Sequence, residues 1–197
     1  PRVIRNQPGY VLCVTRARTC DEINACSHPA AAGGQLPIYA MDYTTEQING
    51  HEGNLWRSLM ERWTNQASTG TQIVAPNRSI AHGAELKFGD VILKMHHYGQ
   101  AHTQGDLSVE VVNDKVIHVG DLAMENRIAN IDDGSYPGTF KYFDALEKAA
   151  PGQLWVPGHG MPGKDILQTY GTLPTRHSCH TSLSDFVTSL PWTMRGK

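Results

Sequence analysis

Between Ala84 and Val156 short β-prone runs alternate with tight polar turns, and this pattern limits the fold more than any other stretch. Ala84 to Phe88 and Val91 to His97 flank Gly89-Asp90, while Leu107 to Val112 and Lys115 to Val119 flank Asn113-Asp114. Such runs on either side of a Gly/Asn/Asp pair predict two β-hairpins. After them the period changes. Phe140, Phe143, Leu146 and Ala150 fall on one side of a helix predicted over Gly138 to Ala150, with Pro151-Gly152 as its stop, and Leu154 to Val156 predicts a last short strand.

The remainder is less regular. Tyr10 to Thr15 (YVLCVT) predicts a buried strand, Pro37 to Ala40 a short apolar run, and Ile73 to Ala75 another strand. From Thr44 to about Gln66, the residues Ile48, Leu55, Trp56, Leu59, Met60 and Trp63 recur at three- and four-residue spacing, interrupted by Gly50 and Gly53. This predicts a helix over the later part with its stripe toward the core. Asp165 to Tyr170 begins a further helix, and the Ser/Thr/His/Pro-rich tail from Thr172 has no period. Strands dominate the middle and helices flank them.

At 197 residues the chain is long enough for one core without a disulfide framework. Its four cysteines, Cys13, Cys20, Cys26 and Cys179, are too irregular for a disulfide scaffold or a zinc ribbon. With 17 Lys+Arg against 19 Asp+Glu, the formal charge is −2 and there is no basic run. No nucleic-acid partner is therefore expected, and no membrane partner. No apolar stretch approaches the roughly 20 residues that span a bilayer, so a soluble cytoplasmic or periplasmic chain is expected. The opening Pro1-Arg2-Val3 is no apolar leader, and a start without Met points to a processed or truncated chain.

Chemistry-bearing residues sit just past the predicted strands. His102-Thr103-Gln104-Gly105-Asp106 precedes one strand, Gly120-Asp121 ends the next, and Gly158-His159-Gly160 ends the third. Strand-end loops present side chains in fixed geometry, and adjacent glycines allow close backbone approach. Two histidines and an aspartate are a borderline-metal donor set suited to zinc, with iron or manganese as other choices. Singly, such residues are usually surface histidines and turn aspartates. Three in this order point to one site.

In these three motifs and their spacing the chain resembles the metallo-β-lactamase superfamily, in its hydrolase branch, over roughly Val11 to Tyr170. The stretch Asn126 to Ser135 is similar to the insert of zinc metallohydrolases linked to quinoprotein or sulfur-oxidation systems. The resemblance implies an α/β fold, the metallo-β-lactamase-like αβ/βα sandwich, lacking its N-terminal strands. Residues 1–171 would form this partial domain and 172–197 an irregular tail. It further implies a zinc cofactor of one or two ions: His102 on the first, Asp121 bridging, His159 on the second, with Asp106 orienting its loop. His118 receives no role. His96 and His97 alternate across a strand, so at most one faces the site.

The superfamily's His-x-His-x-Asp-His motif should follow YVLCVT, but the chain there reads Thr15-Arg16-Ala17-Arg18-Thr19-Cys20-Asp21-Glu22. Arginine keeps its proton and has no lone pair to donate, so Arg16 and Arg18 cannot ligate. The first position keeps only His102 and Asp121. The second keeps Asp121 and His159, with Cys20 or Asp21 as a third donor. Asp121 and Asp21 are the candidate catalytic carboxylates. Two functions follow. One is a zinc hydrolase of small molecules, impaired by the lost motif, in which metal-bound hydroxide attacks an ester, thioester or amide carbonyl. The other is a non-catalytic homologue that uses the scaffold for binding, with Arg16 and Arg18 replacing the metal's charge. Neither substrate nor oligomeric state is legible.

Overall fold

The computed structural model describes residues 37–125, 129 and 134–172, together with the backbone alone of β1 (Val11–Leu12); for 171–172 too, only the backbone is described. Among the described residues two sheets form. The first is parallel and three-stranded, in the order β1, β2 (Ile38–Ala40), β3 (Arg78–Ser79). The second runs β4 (Glu85–Phe88), β5 (Val91–His96), β6 (Ser108–Val111), β7 (Val116–Met124), β8 (Leu154–His159). Both hairpins form where the Gly-Asp and Asn-Asp turns predict them, Phe88 facing Val91 and Val111 facing Val116. Within the second sheet only β7 and β8 are parallel, and the chain between them carries α3 (Tyr136–Ala149). A parallel neighbour cannot be reached by a tight turn, so a helical crossover is required there.

Among the described residues apolar clusters hold the layers together. Met95, Leu107, Val109 and Ile80, with Tyr39 and Met41 of the first-sheet side, pack between the sheets. On the other face, Ile117, Val119 and Trp155 meet Tyr142, Phe143 and Leu146 of α3, and Ile166, Leu167 and Tyr170 of α4 (Ile166–Thr172). The α3 start is capped by Ser135, whose Oγ accepts from Gly138 N–H at 3.1 Å, with proline inside the first turn.

Two expectations need correction. Ile73 to Ala75 is irregular; pairing falls instead on Arg78–Ser79, opposite Tyr39 and Ala40. Asn77 selects that register, because its side-chain oxygen accepts from Ile38 N–H (3.0 Å) and its own N–H donates to Ile38 O (3.0 Å). The predicted helix is two, α1 (Asp42–Asn49) and α2 (His51–Trp63), broken at Gly50, whose φ of −95° and ψ of −140° are not helical. The break turns the apolar stripe away from the core: α1 buries Thr44 and Ile48, but α2 buries no residue, and Trp63 is 59% exposed. Among the described residues no helix is long and apolar enough to cross a membrane.

Leu146 lies fully buried between α3 and the second sheet. Leu146→Ala is expected to destabilise the protein by about 3 kcal/mol, through lost burial and the cavity left behind. Urea denaturation checks this; an unchanged midpoint would contradict the packing described.

Candidate functional site

His102 sits in the loop between β5 and β6, and the loop is held by its own polar groups. Both carboxylate oxygens of buried Asp106 accept from Thr103, one from its N–H and one from its hydroxyl, each at 2.8 Å. The Thr103 hydroxyl oxygen in turn accepts from Gly105 N–H at 3.2 Å. The Asp106 carboxyl is pushed up to about 7 by burial, against the opposing pull of the Thr103 hydrogen bonds, with the nearby Asp121 adding to the rise. His97 Nδ1 donates to Asp106 O at 2.7 Å, and Ser135 N–H donates to Ala101 O at 2.7 Å, which fixes the loop against the start of α3.

Asp121 lies on β7 where the pairing with β8 is irregular: Gly120 faces Pro157, yet the next register pair is Met124 with His159. Bulged strands re-aim side chains at sheet ends. Gly158 makes room for Asp121: a Cβ there would overlap Asp121 Oδ1 and stand 2.8 Å from the Gly120 carbonyl carbon. His118, earlier on β7, has its pKa lowered by burial, with Asp121 pulling the other way.

His159 ends β8, and Glu125 fixes the turn after it. Glu125 N–H donates to His159 O (3.0 Å), and Met161 N–H donates to Glu125 Oε2 (2.8 Å). Gly160 has φ +100°, and a Cβ there would collide with the Glu125 side chain. Glu125 was missed from the sequence. A lone glutamate four residues past Gly-Asp gives no signal until the β8 turn folds onto it.

Three residues from separate parts of the chain thus meet around one carboxylate. His102 Nε2 is 3.8 Å from Asp121 Oδ2, and His159 Nε2 is 3.6 Å from Asp121 Oδ1. These spacings are too long for hydrogen bonds. They lie close to the ~3.3 Å that separates two ligands on a tetrahedral ion with bonds of about 2.0–2.1 Å. His102 and Asp121 are nearly buried, whereas the His159 side chain is 42% exposed, so the site opens on the His159 side. Among the described residues no three His, Cys, Asp or Glu side chains group tightly enough to hold one ion together. The donors present therefore fit a cation two at a time, one imidazole and one carboxylate oxygen on each side. Cys20, Asp21, Arg16 and Arg18 lie outside the described residues, as does most of the stretch 126–133.

No family model matches the sequence, and no curated protein matches it. Solved structures do match. A metallo-β-lactamase from Pontibacter korlensis superposes with a TM-score of 0.59 at 15% identity, over 82% of this chain and 66% of that one. A metallo-β-lactamase from Hirschia baltica gives 0.56 at 16% identity, over 86% of this chain and 69% of that one. The chain thus spans about two thirds of the length of each, and at these identities the likeness shows the fold.

Gly158→Ala tests the close approach of β8 to Asp121. The added methyl must push Asp121 or the β8 backbone aside, and a cost of about 1–3 kcal/mol is expected, as for overpacking elsewhere. Thermal denaturation together with the His102 and His159 imidazole NMR signals checks this; unchanged stability and unchanged signals would contradict the geometry.

Proposed function

We propose that this chain, whose fold is that of the metallo-β-lactamases, is a metal-dependent hydrolase of small carbonyl substrates. Asp121 and His159 would hold a divalent cation, zinc foremost, with iron or manganese as alternatives, and His102 stands ready at the other Asp121 oxygen. The observation that carries this reading is the Asp121 carboxylate presenting one oxygen to each of two imidazole nitrogens, at 3.8 and 3.6 Å. A bound divalent ion supplies Lewis-acid charge, which polarises a carbonyl oxygen and makes a water more acidic.

The chain's own residues provide direction and access. Asp121 stands between the two imidazoles and offers one oxygen to each. Thr103 and Asp106 fix the loop that carries His102, and Glu125 fixes the turn that carries His159. His159, the more exposed donor, marks the side on which an ester, thioester or amide can approach. In this reading Cys20 or Asp21 completes the donor set on the His159 side, and Asp21 holds the attacking water. Weak activity is expected, because Arg16 and Arg18 replace two donors of the fold's first metal motif.

A second reading is supported by those same arginines. There the chain is a non-catalytic homologue in which Arg16 or Arg18 neutralises Asp121, and the scaffold binds without reacting.

Metal analysis of protein purified without added zinc separates the two. A hydrolase should carry about one equivalent of transition metal, lost in Asp121→Asn, and should gain roughly 2–3 kcal/mol of stability with zinc at a hundred times its dissociation constant. Metal well below one equivalent, with a Tm indifferent to zinc, overturns the hydrolase reading. The second reading predicts that outcome, and also that metal binding appears in the quadruple variant Arg16→His, Arg18→His, Cys20→Asp, Asp21→His.

A further inference from the structure

A second polar cluster lies on the α3 side of the sheet, apart from the three donors. Glu110 on β6 is buried, as are His96 at the end of β5 and Gln153 just before β8. In the register of β5 and β6, Lys94 faces Glu110 and His96 faces Ser108, so His96 and Glu110 share a face while Met95 and Val109 pack toward the other sheet. Glu110 Oε2 stands 2.8 Å from His96 Nε2, and Glu110 Oε1 accepts from Gln153 Nε2 at 3.0 Å. A carboxylate only accepts, so His96 Nε2 carries the proton between them. On its other side, His96 Nδ1 is hydrogen-bonded to the Tyr98 hydroxyl at 3.2 Å. Burial, and the charge of Glu110, raise the Tyr98 pKa, so it remains a hydroxyl.

This chain of bonds runs from the sheet interior into the loop that bears His102. Tyr98 is two residues beyond β5 and four before His102. The first turn of the loop is fixed from three further directions: Tyr142 donates to His96 O at 2.6 Å, His97 N–H donates to His82 Nδ1 at 3.1 Å, and the His82 ring packs edge-on to Tyr98 at 5.0 Å. Apolar side chains of similar volume would stabilise a sheet as well as a buried carboxylate–imidazole pair does, at lower desolvation cost. What an apolar pair cannot supply is direction. The Tyr98 hydroxyl is oriented by His96 Nδ1, and the His96 ring is oriented by Glu110 at its other nitrogen.

We infer that the Glu110–His96–Tyr98 chain is a positioning device for the 97–106 loop, setting where His102 stands relative to Asp121. Its value to catalysis rests on the reading of His102 as a metal donor; its effect on the loop does not. Glu110 and His96 are positioning residues that act through Tyr98 and the backbone, without touching metal or substrate.

Residue-resolved amide exchange on metal-free protein, and zinc affinity by chelator competition, test this in Glu110→Ala, Glu110→Gln and Tyr98→Phe. In Glu110→Ala, exchange across 98–106 should quicken about tenfold while β7 and β8 stay protected, and zinc affinity should fall about tenfold, as for other groups that orient metal-binding histidines. Glu110→Gln should stay close to wild type, since its amide oxygen still accepts from His96 and the buried Gln153 Oε1, which has no partner, can turn to meet the new amide. Tyr98→Phe should loosen the loop without weakening the sheet. Unchanged loop exchange in Tyr98→Phe overturns the inference, and decides it alone if Glu110→Ala fails to fold. Uniform loosening of β5, β6 and β7 without rescue by Glu110→Gln also overturns it, because the network is then only a structural brace. If wild type binds no zinc, the hydrolase reading fails, yet faster loop exchange in Glu110→Ala and Tyr98→Phe still upholds the positioning role.

Discussion

The Asp121 carboxylate, held between two imidazoles at the irregular tip of β7, is the interaction on which the rest of the site depends. It requires that β7 bulge, that β8 run parallel beside it, and that Gly158 lack a side chain where the two backbones close. Each requirement leads back to a larger feature. The parallel pairing needs the α3 crossover, and the crossover is stable because Tyr142, Phe143 and Leu146 bury themselves against Ile117, Val119 and Trp155.

Around that carboxylate, hydrogen bonds convert soft loops into fixed supports. Thr103 and Asp106 close the His102 loop on itself, and Glu125 anchors the His159 turn from the end of β7. The Glu110–His96–Tyr98 chain extends the same logic deeper, tying a loop to the interior of the sheet. Buried polar groups are costly unless satisfied. Here the buried carboxylates of Asp106 and Glu110 each have hydrogen-bond partners at both oxygens.

Much of this was legible in the residues themselves. Gly89-Asp90 and Asn113-Asp114 dictated the hairpins because only a few turns join adjacent strands, and the Phe140/Phe143/Leu146 spacing dictated α3. His102, Asp121 and His159 stood out because each follows or precedes a strand with a glycine within three residues. Other features depend on long-range partners that local pattern does not carry. The register at Arg78–Ser79 is chosen by Asn77 bonding to Ile38, not by the apolar run before it. Gly50 was visible as an interruption, but the redirection of α2 that leaves Trp63 in solvent was not. Glu125 and Glu110 look like ordinary surface glutamates until β8 and its preceding loop fold onto them.

The central claim is that Asp121 joins His102 and His159 into one metal site, with one imidazole at each of its oxygens. Imidazole NMR during a zinc titration tests it most directly. The account predicts that the His102 and His159 ring signals shift together and saturate at a common point, with the His82 and His96 rings unmoved. Signals of His102 and His159 that respond at different zinc levels, or not at all, would contradict it.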